Sequence, residues 1–516
     1  MGVSLEKRVE RANMTRDLAA AKLETLRLEQ TYRALDTDHN RRKRRAPGIE
    51  FKGEDAQIAG ATRLRSVAKA RDTRRNYGGE KAAELQLGLN TVGTGPKIVV
   101  HLGDDEGNKA KAESWTRWFN GWFAKHSDGR GNRNLADQAR IALNAVGREG
   151  DILVYFDDVG IIPRAEGTLW YWEADQLPNL AKKSWDDNKT GIADRLGEPG
   201  PVAQKDGLIV DEYDRVRGYI AAKAAGVHGK TEMNYDEVTI LPADSCALLY
   251  NPWRINQRRG VSQTIEVANL YQDLERFAES MIQRSILQSY FAIKIKKTDS
   301  VVEARDRAAD NDSGSVPDET TTETGTRYKN WEKLSMNAIE YMDKDEDAEA
   351  MQLSGDLPDA EQLIEFFQGQ AGWAQGMSAM YSTGKADASY SAAMAENNLT
   401  WALFNWWQKW AERYYYDWVA ERAFAWGMAT GRIDPVETAL WADSYSWHGW
   451  PKKRAINPLQ EAAARKTDLA IGAATYEDFW GPEWRKKLKL LGEQIQFSRD
   501  NGLFVSTFAP KTGSAQ

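Results

Sequence analysis

Apolar residues along the chain fall into distinct textures. Between residues 90 and 260 they come in short runs, KIVVHL, DILVYF, TLWYWEA, GLIVDEY, VRGYIAA and EVTILPA, broken by Gly, Pro and Asp turns, which predicts strands. Residues 110–125 and 133–147 carry helical spacing instead, so this region reads as mixed helix and sheet. From Val261 to Ser313 there is no Gly or Pro, and Leu270, Leu274, Phe277 and Met281 recur at steps of 4, 3 and 4. That predicts a helix from about Ser262 to Tyr290, roughly 40 Å long. FAIKIKK (291–297) reads as a strand. A second helix starts at Pro358-Asp359, with Asp359 and Gln362 in capping-box spacing and Leu363, Phe367, Ala371 and Ala374 on one face. GMSAMYSTG (376–384) reads as a loop. From Lys385 to Trp426 Gly and Pro are again missing, and Leu403, Trp407, Trp410, Tyr414 and Trp418 keep helical spacing. Residues 4–35 predict a polar helix that packs only on assembly. The fold class is α+β.

At 516 residues the chain is too long for one core and predicts two to four packed regions. Hydrophobic residues at 41% support such cores, and nine of the 20 tryptophans fall between Trp401 and Trp450, which marks a thick aromatic core or subunit interface there. A single cysteine, Cys246, excludes an internal disulfide and a thiolate zinc site and suits a reducing cytoplasm. The charged N-terminus lacks a signal peptide's apolar stretch, and no run reaches the roughly 18 apolar residues of a membrane helix.

The net charge of -7 excludes a globally basic nucleic-acid coat, yet it is unevenly spread. Residues 41–75, which begin RRKRR, hold 12 Lys/Arg against 4 Asp/Glu, a local +8 that leaves -15 for the rest. RRKRR reads as a solvated arm or as a contact with nucleic acid or an acidic protein. Residues 299–326 are the opposite, with 8 acids against 2 Arg, and read as an exposed insertion.

Catalytic motifs fail on inspection. Gly226-Val-His-Gly229-Lys230-Thr231 ends like a phosphate loop, but its first glycine position is Ala224. Gly376-Met-Ser378-Ala-Met380 lacks the closing glycine of a nucleophile elbow. Asp343, Asp345 and Asp347 alternate as in a calcium loop, but Ala348 stands where the turn needs Gly and Ser354 where the last ligand is Glu. The five histidines, His39, His101, His126, His228 and His448, form no pair at helical spacing, so no transition-metal site is read. The reading is a structural protein without catalytic group, metal or cofactor.

The order of elements, with several segments, resembles the portal proteins of tailed bacteriophages, specifically the lambda-like portal family. ARDTRRNYGGEKAAELQLGLNTVGTGPKI (70–98) resembles the family's N-terminal helix and V-G-T-G turn, and REGDILVYF (148–156), WEADQL (172–177) and VDEYDRVRGYIA (210–221) its wing strands. NPWRINQRRGVS (251–262) is similar to the segment before the first stem helix. GMSAMYSTGKADASYSAAMAENN (376–398) is similar to the stretch from stem to long helix, with its Tyr390-Ser391 core, and 450–503 to the C-terminal pattern. Met394 stands where the family often has Arg, and Ser389 where it commonly has Asn.

The resemblance implies an N-terminal arm (1–44), a wing (45–260), a first stem helix (261–290), a small α/β clip (291–357), a second stem helix (358–375), a channel loop (376–391), a long wing helix (392–428) and a C-terminal wing and crown region (429–516). It implies a ring, usually a dodecamer, at one vertex of the virion capsid, assembled in the host cytoplasm. DNA is packaged through it by the terminase motor and later ejected, and the ring connects head to tail. Implied partners are double-stranded DNA, the terminase large subunit, the major capsid protein and scaffold, and head-completion or adaptor proteins; no membrane is implied. Channel candidates are Glu266, Asp273, Glu279, Glu361, Glu365, Ser382, Lys385 and Asp387, and docking candidates in the clip are Asp310, Asp312, Asp318, Glu319 and Glu323. Two other readings stay open. A DNA-processing packaging enzyme needs a Walker motif or an acidic metal cluster, and another structural head protein would lack paired long helices around an insertion.

Overall fold

The computed structural model describes Asp55, residues 58–289 with breaks at 104, 159, 164 and 224–225, and then 293–297, 346–350, 360–385, 389–437, 444–453, 458–476 and 484–501. The helix expected over 4–35, the RRKRR run and the acidic segment 299–326 lie outside the described residues. The chain divides into two compact units, one of residues up to Glu266 and from Gly372 onward, the other Val267–Ala371.

In the larger unit, the strand Asp151–Phe156 is central to a three-stranded antiparallel sheet, flanked by Cys246–Tyr250 and Leu169–Glu173. Its sequence, DILVYF, is almost wholly apolar because both faces are covered. Ile152, Val154 and Phe156 enter one core, while Leu153 and Tyr155 enter another. A four-stranded antiparallel sheet, ordered Ala203–Lys205, Leu208–Val210, Val216–Ala222 and Val238–Pro242, repeats the device. Tyr219 and Ala221 face the second core, and Ile220 and Ala222 face a third, which the helix Lys182–Arg195 closes with Trp185 and Ile192.

The tryptophan excess resolves into the first core. Trp115, Trp401, Trp407, Trp410, Trp426 and Trp447 are buried there with Phe119, Phe123, Phe404 and Phe424. The helix expected from Lys385 begins at Tyr390 and runs to Ala411. A π-helical turn, Glu412–Tyr416, joins it to Asp417–Ala429. That turn changes the apolar register: Tyr414, expected on the buried face, is 48% exposed, and Tyr415 and Tyr416 are buried in its place.

In the smaller unit the expected strand is present as Ile293–Lys297. It pairs antiparallel with Glu346–Ala350 in a register that sets Lys294, Lys296 and Lys297 opposite Glu349, Asp347 and Glu346. Asp347 thus belongs to a strand rather than to a loop. The helices Thr264–Ser289 and Ala360–Ala374 match the two expected from sequence.

Candidate functional site

The segment that leads into the helix Thr264–Ser289 is held by buried charge. Arg259 is fully buried, and its guanidinium forms a two-point pair with Asp151, donating through Nε at 2.7 Å and Nη2 at 3.0 Å. It also donates to the carbonyls of Ala174 and Asp206 at 2.9 and 2.5 Å. Burial opposes the Arg259 charge, but Asp151 and Asp206 outweigh it and raise the pKa. Arg63 completes the group, donating to Asp206 at 2.7 Å and to the Gly260 carbonyl at 2.6 Å. Burial likewise opposes the Asp206 charge, while Arg63 and Arg259 hold its carboxyl below the usual range. On the outer side the Asp55 carboxylate accepts the backbone N–H groups of Arg258 and Arg259. The Gln-Arg-Arg-Gly run is therefore a connector with nearly every polar group engaged.

Just beyond it, Ser262 donates to the Arg148 carbonyl, the Gln263 N–H to the Gly147 carbonyl, and the Thr264 hydroxyl to Glu80 at 2.6 Å. The other oxygen of Glu80 accepts from Gln375. The chain leaves the larger unit after Glu266 and returns at Gly372, so this one buried carboxylate binds the exit and the return. Burial, with repulsion from Glu84, raises the Glu80 pKa above its ordinary value of 4.5, against the pull of Thr264 and Gln375. A raised carboxyl pKa favours the fold below about 4.5, and that contribution is lost as pH climbs through the folded-state value. We therefore expect unfolding midpoints of wild type to decline relative to Glu80→Gln as pH rises above 4.5. Glu80→Ala should cost about 1–3 kcal/mol because the buried Thr264 hydroxyl and the half-buried Gln375 amide lose their acceptor. Equal pH profiles for wild type and Glu80→Gln would remove the argument.

The channel candidates separate by position. Glu266 and Asp273 lie two turns apart on one helix, about 20° around its axis, and Glu279 lies roughly 120° away from them. Glu266 and Glu279 are exposed and Asp273 half-buried; partial desolvation of the Glu266 carboxyl by the neighbouring chain still raises its pKa. Glu361 and Glu365 share a face of Ala360–Ala374. The expected loop at 376–384 contains a short helix, Ala379–Thr383, pinned from outside. Ser378 and Thr400 share a 2.9 Å hydroxyl bond, Met380 N–H donates to Glu396 at 2.8 Å, and Tyr381 donates to Asn397 at 2.9 Å. Ser382 spends its hydroxyl on the Ala379 carbonyl, and Lys385 is exposed just past the helix end. Asp387 and the clip candidates Asp310, Asp312, Asp318, Glu319 and Glu323 lie outside the described residues. Ser389 accepts from the Ala392 N–H and so caps the next helix, and Met394 lies 3.6 Å from the Lys453 ammonium. Sequence reasoning missed Arg63, Glu80, Asp151 and Asp206, whose partners lie far along the chain. Arg63, Arg71 and Arg74, read as part of a basic arm, are bound in ion pairs.

Residues 40–408 match a family described as phage portal protein, lambda family. No curated protein sequence matches. Among solved structures, the chain is similar to one from the virion of a native gene transfer agent particle, at 9% identity and a TM-score of 0.41, covering 79% of this chain and 89% of that one. It is also similar to one from the neck of an empty gene transfer agent particle, at 10% identity and a TM-score of 0.40, covering 78% and 90%. The family match takes in the buried Arg259 connector, both helices beyond it and the pinned turn, and on it the chain belongs to the lambda family of phage portal proteins.

Proposed function

We propose that the chain forms a closed homo-oligomeric ring, a dodecamer, at the portal vertex of a phage-like particle, and that DNA is packaged and ejected through its centre. The observation that carries this reading is the family match over residues 40–408. The clamp at Glu80 adds to it, because one carboxylate binds the chain just before the smaller unit and just after it. A ring is a heterologous assembly in which one face of each subunit meets the opposite face of the next. Exposed Leu399 and Trp406 on the helix Tyr390–Ala411 suit a chain whose packing is completed between subunits.

A conduit works best when it does not grip phosphates, since each neutralised phosphate adds salt-dependent affinity. Glu266, Asp273, Glu361 and Glu365 are the proposed acidic lining, and Lys385 a sparse cationic contact; Glu279, on another face of its helix, is the weakest member of the set. The protein is structural, and its partners in this role are the terminase large subunit, the capsid and scaffold, and head-completion proteins. Negative-stain microscopy of the purified chain is expected to show rings with a central hole. Packaging with Lys385→Glu is expected to shorten or release the packaged genome. Monomers in the first experiment would overturn the ring, and unchanged genome length and retention in the second would remove Lys385 from the channel.

A further inference from the structure

Beside the Glu80 clamp, four carboxylates share three guanidiniums. Arg71 reaches Glu149, Glu173 and Asp175 at 3.0, 2.6 and 2.8 Å, Arg148 reaches Glu84 and Glu149 at 3.0 and 2.9 Å, and Arg74 pairs with Glu84. The group is one positive charge short, in a place where Glu149 and Asp175 are buried and an uncompensated carboxylate is costly. Arg130 and Arg133 border the adjacent cavity but pair with none of these four carboxylates. The loop Gly226–Thr231, which the sequence marks as a failed phosphate motif, brings in a fifth group. His228 Nδ1 lies 3.0 Å from Asp175 Oδ2 and 3.9 Å from Glu173 Oε2. One ligand atom from each of the three residues falls within 4.8 Å of the others.

A second observation comes from the cavity, about 160 Å³, that Glu173 and His228 line. Gln138 lines it too. Its side chain is only 3% exposed, its amide donates to Ser127 at 2.9 Å and to the Arg133 carbonyl, and no donor among the described residues reaches its Oε1. The orphan atom is an acceptor, so it calls for a donor, and a water polarised by a metal ion is a strong one.

We propose that Glu173, Asp175 and His228 bind one divalent transition-metal ion of the zinc class, with a metal-bound water in the fourth position donating to Gln138. Imidazole with two carboxylates is a donor set that zinc accepts, and bonds of about 2.0–2.2 Å in a tetrahedral site put ligand atoms roughly 3.4 Å apart, between the two separations above. Arg71 donates to both ligand oxygens, Asp175 Oδ2 at 2.9 Å and Glu173 Oε2 at 2.6 Å, and an ion would displace those two bonds while Arg71 kept both oxygens of Glu149 and the other oxygen of Asp175. The ion would supply the missing charge and fasten the Gly226–Thr231 loop to the sheet edge.

The full-length chain, stripped with EDTA, is titrated with zinc against a chromophoric chelator. Wild type is expected to bind one ion per chain, His228→Ala and Glu173→Gln at least tenfold more weakly, and His101→Ala as wild type. Zinc should raise the thermal midpoint of wild type but not of His228→Ala, each compared with its own metal-free state. X-ray absorption should report nitrogen and oxygen ligands without sulfur. No saturable binding by wild type, or equal binding by His228→Ala, overturns the site.

Discussion

Arg259→Ala is expected to lower the unfolding midpoint of the larger unit by about 3–6 °C, equivalent to about 3–5 kcal/mol. The magnitude follows from what the substitution leaves behind. Asp151 is fully buried, and without Arg259 its carboxylate keeps the Gly260 N–H at 2.9 Å and the more distant Arg63 at 3.7 Å. The carbonyls of Ala174 and Asp206 also lose a donor. Most of the cost is therefore the stranded charge rather than the pair's own attraction, and a double variant separates the two. Arg259→Met with Asp151→Leu removes both charges, so it should be more stable than either single change, with a coupling of about 2 kcal/mol or more. Additive losses would show that the pair is not an energetic unit.

How much of this was legible in the sequence depended on which force set each element. Strands covered on both faces, such as Asp151–Phe156, announce themselves by unbroken apolar runs, and the helix Thr264–Ser289 by its 4, 3, 4 spacing. The helix Ala61–Asn76 gives no such signal. The residues it buries include Thr62, Arg63, Ser66 and Thr73, because its inner face meets buried carboxylates rather than oil. Apolar periodicity is silent when the buried face is polar. Lys182–Arg195 was missed for a related reason: its apolar anchors, Trp185 and Ile192, are two turns apart among charges.

The candidate site divides in the same way. Carboxylates on the two long helices could be named from sequence because helix geometry alone orders them. The connector Gln257–Gly260 could be matched to a family pattern but not explained, since Arg259 finds its partners 108 and 53 residues away. The turn Ala379–Thr383 looked like a loop because Thr400, Glu396 and Asn397, which hold it, belong to the following helix. The π-turn at Glu412–Tyr416 shifted the aromatic face by a residue, which no fixed period anticipates.

Gly260→Ala should be the most damaging glycine-to-alanine change among the described residues, costing more than about 4 kcal/mol and giving little soluble protein. A Cβ at Gly260 would lie 1.8 Å from the Gly150 carbonyl oxygen and 2.3 Å from its carbon, and backbone atoms cannot turn aside as a side-chain end can. Gly150 is no more able to move. It closes the helix Leu135–Glu149 at φ 102, a conformation that favours glycine, and a Cβ there would meet Gly260 and Val261 backbone at 2.7 Å. Separating the two strands of chain would pull Arg259 from Asp151, which begins the adjoining strand, and Ser262, Gln263 and Thr264 from their anchors, so one methyl reaches the whole root of the first long helix. Gly369→Ala is the control: it lies inside the helix Ala360–Ala374 with nothing within 4 Å, and should stabilise by about 0.5–1 kcal/mol. Soluble yield and thermal midpoints decide the matter, and a soluble Gly260→Ala chain that melts within about 1 °C of wild type would mean that the crossing of Gly150 and Gly260 is not what holds the connector.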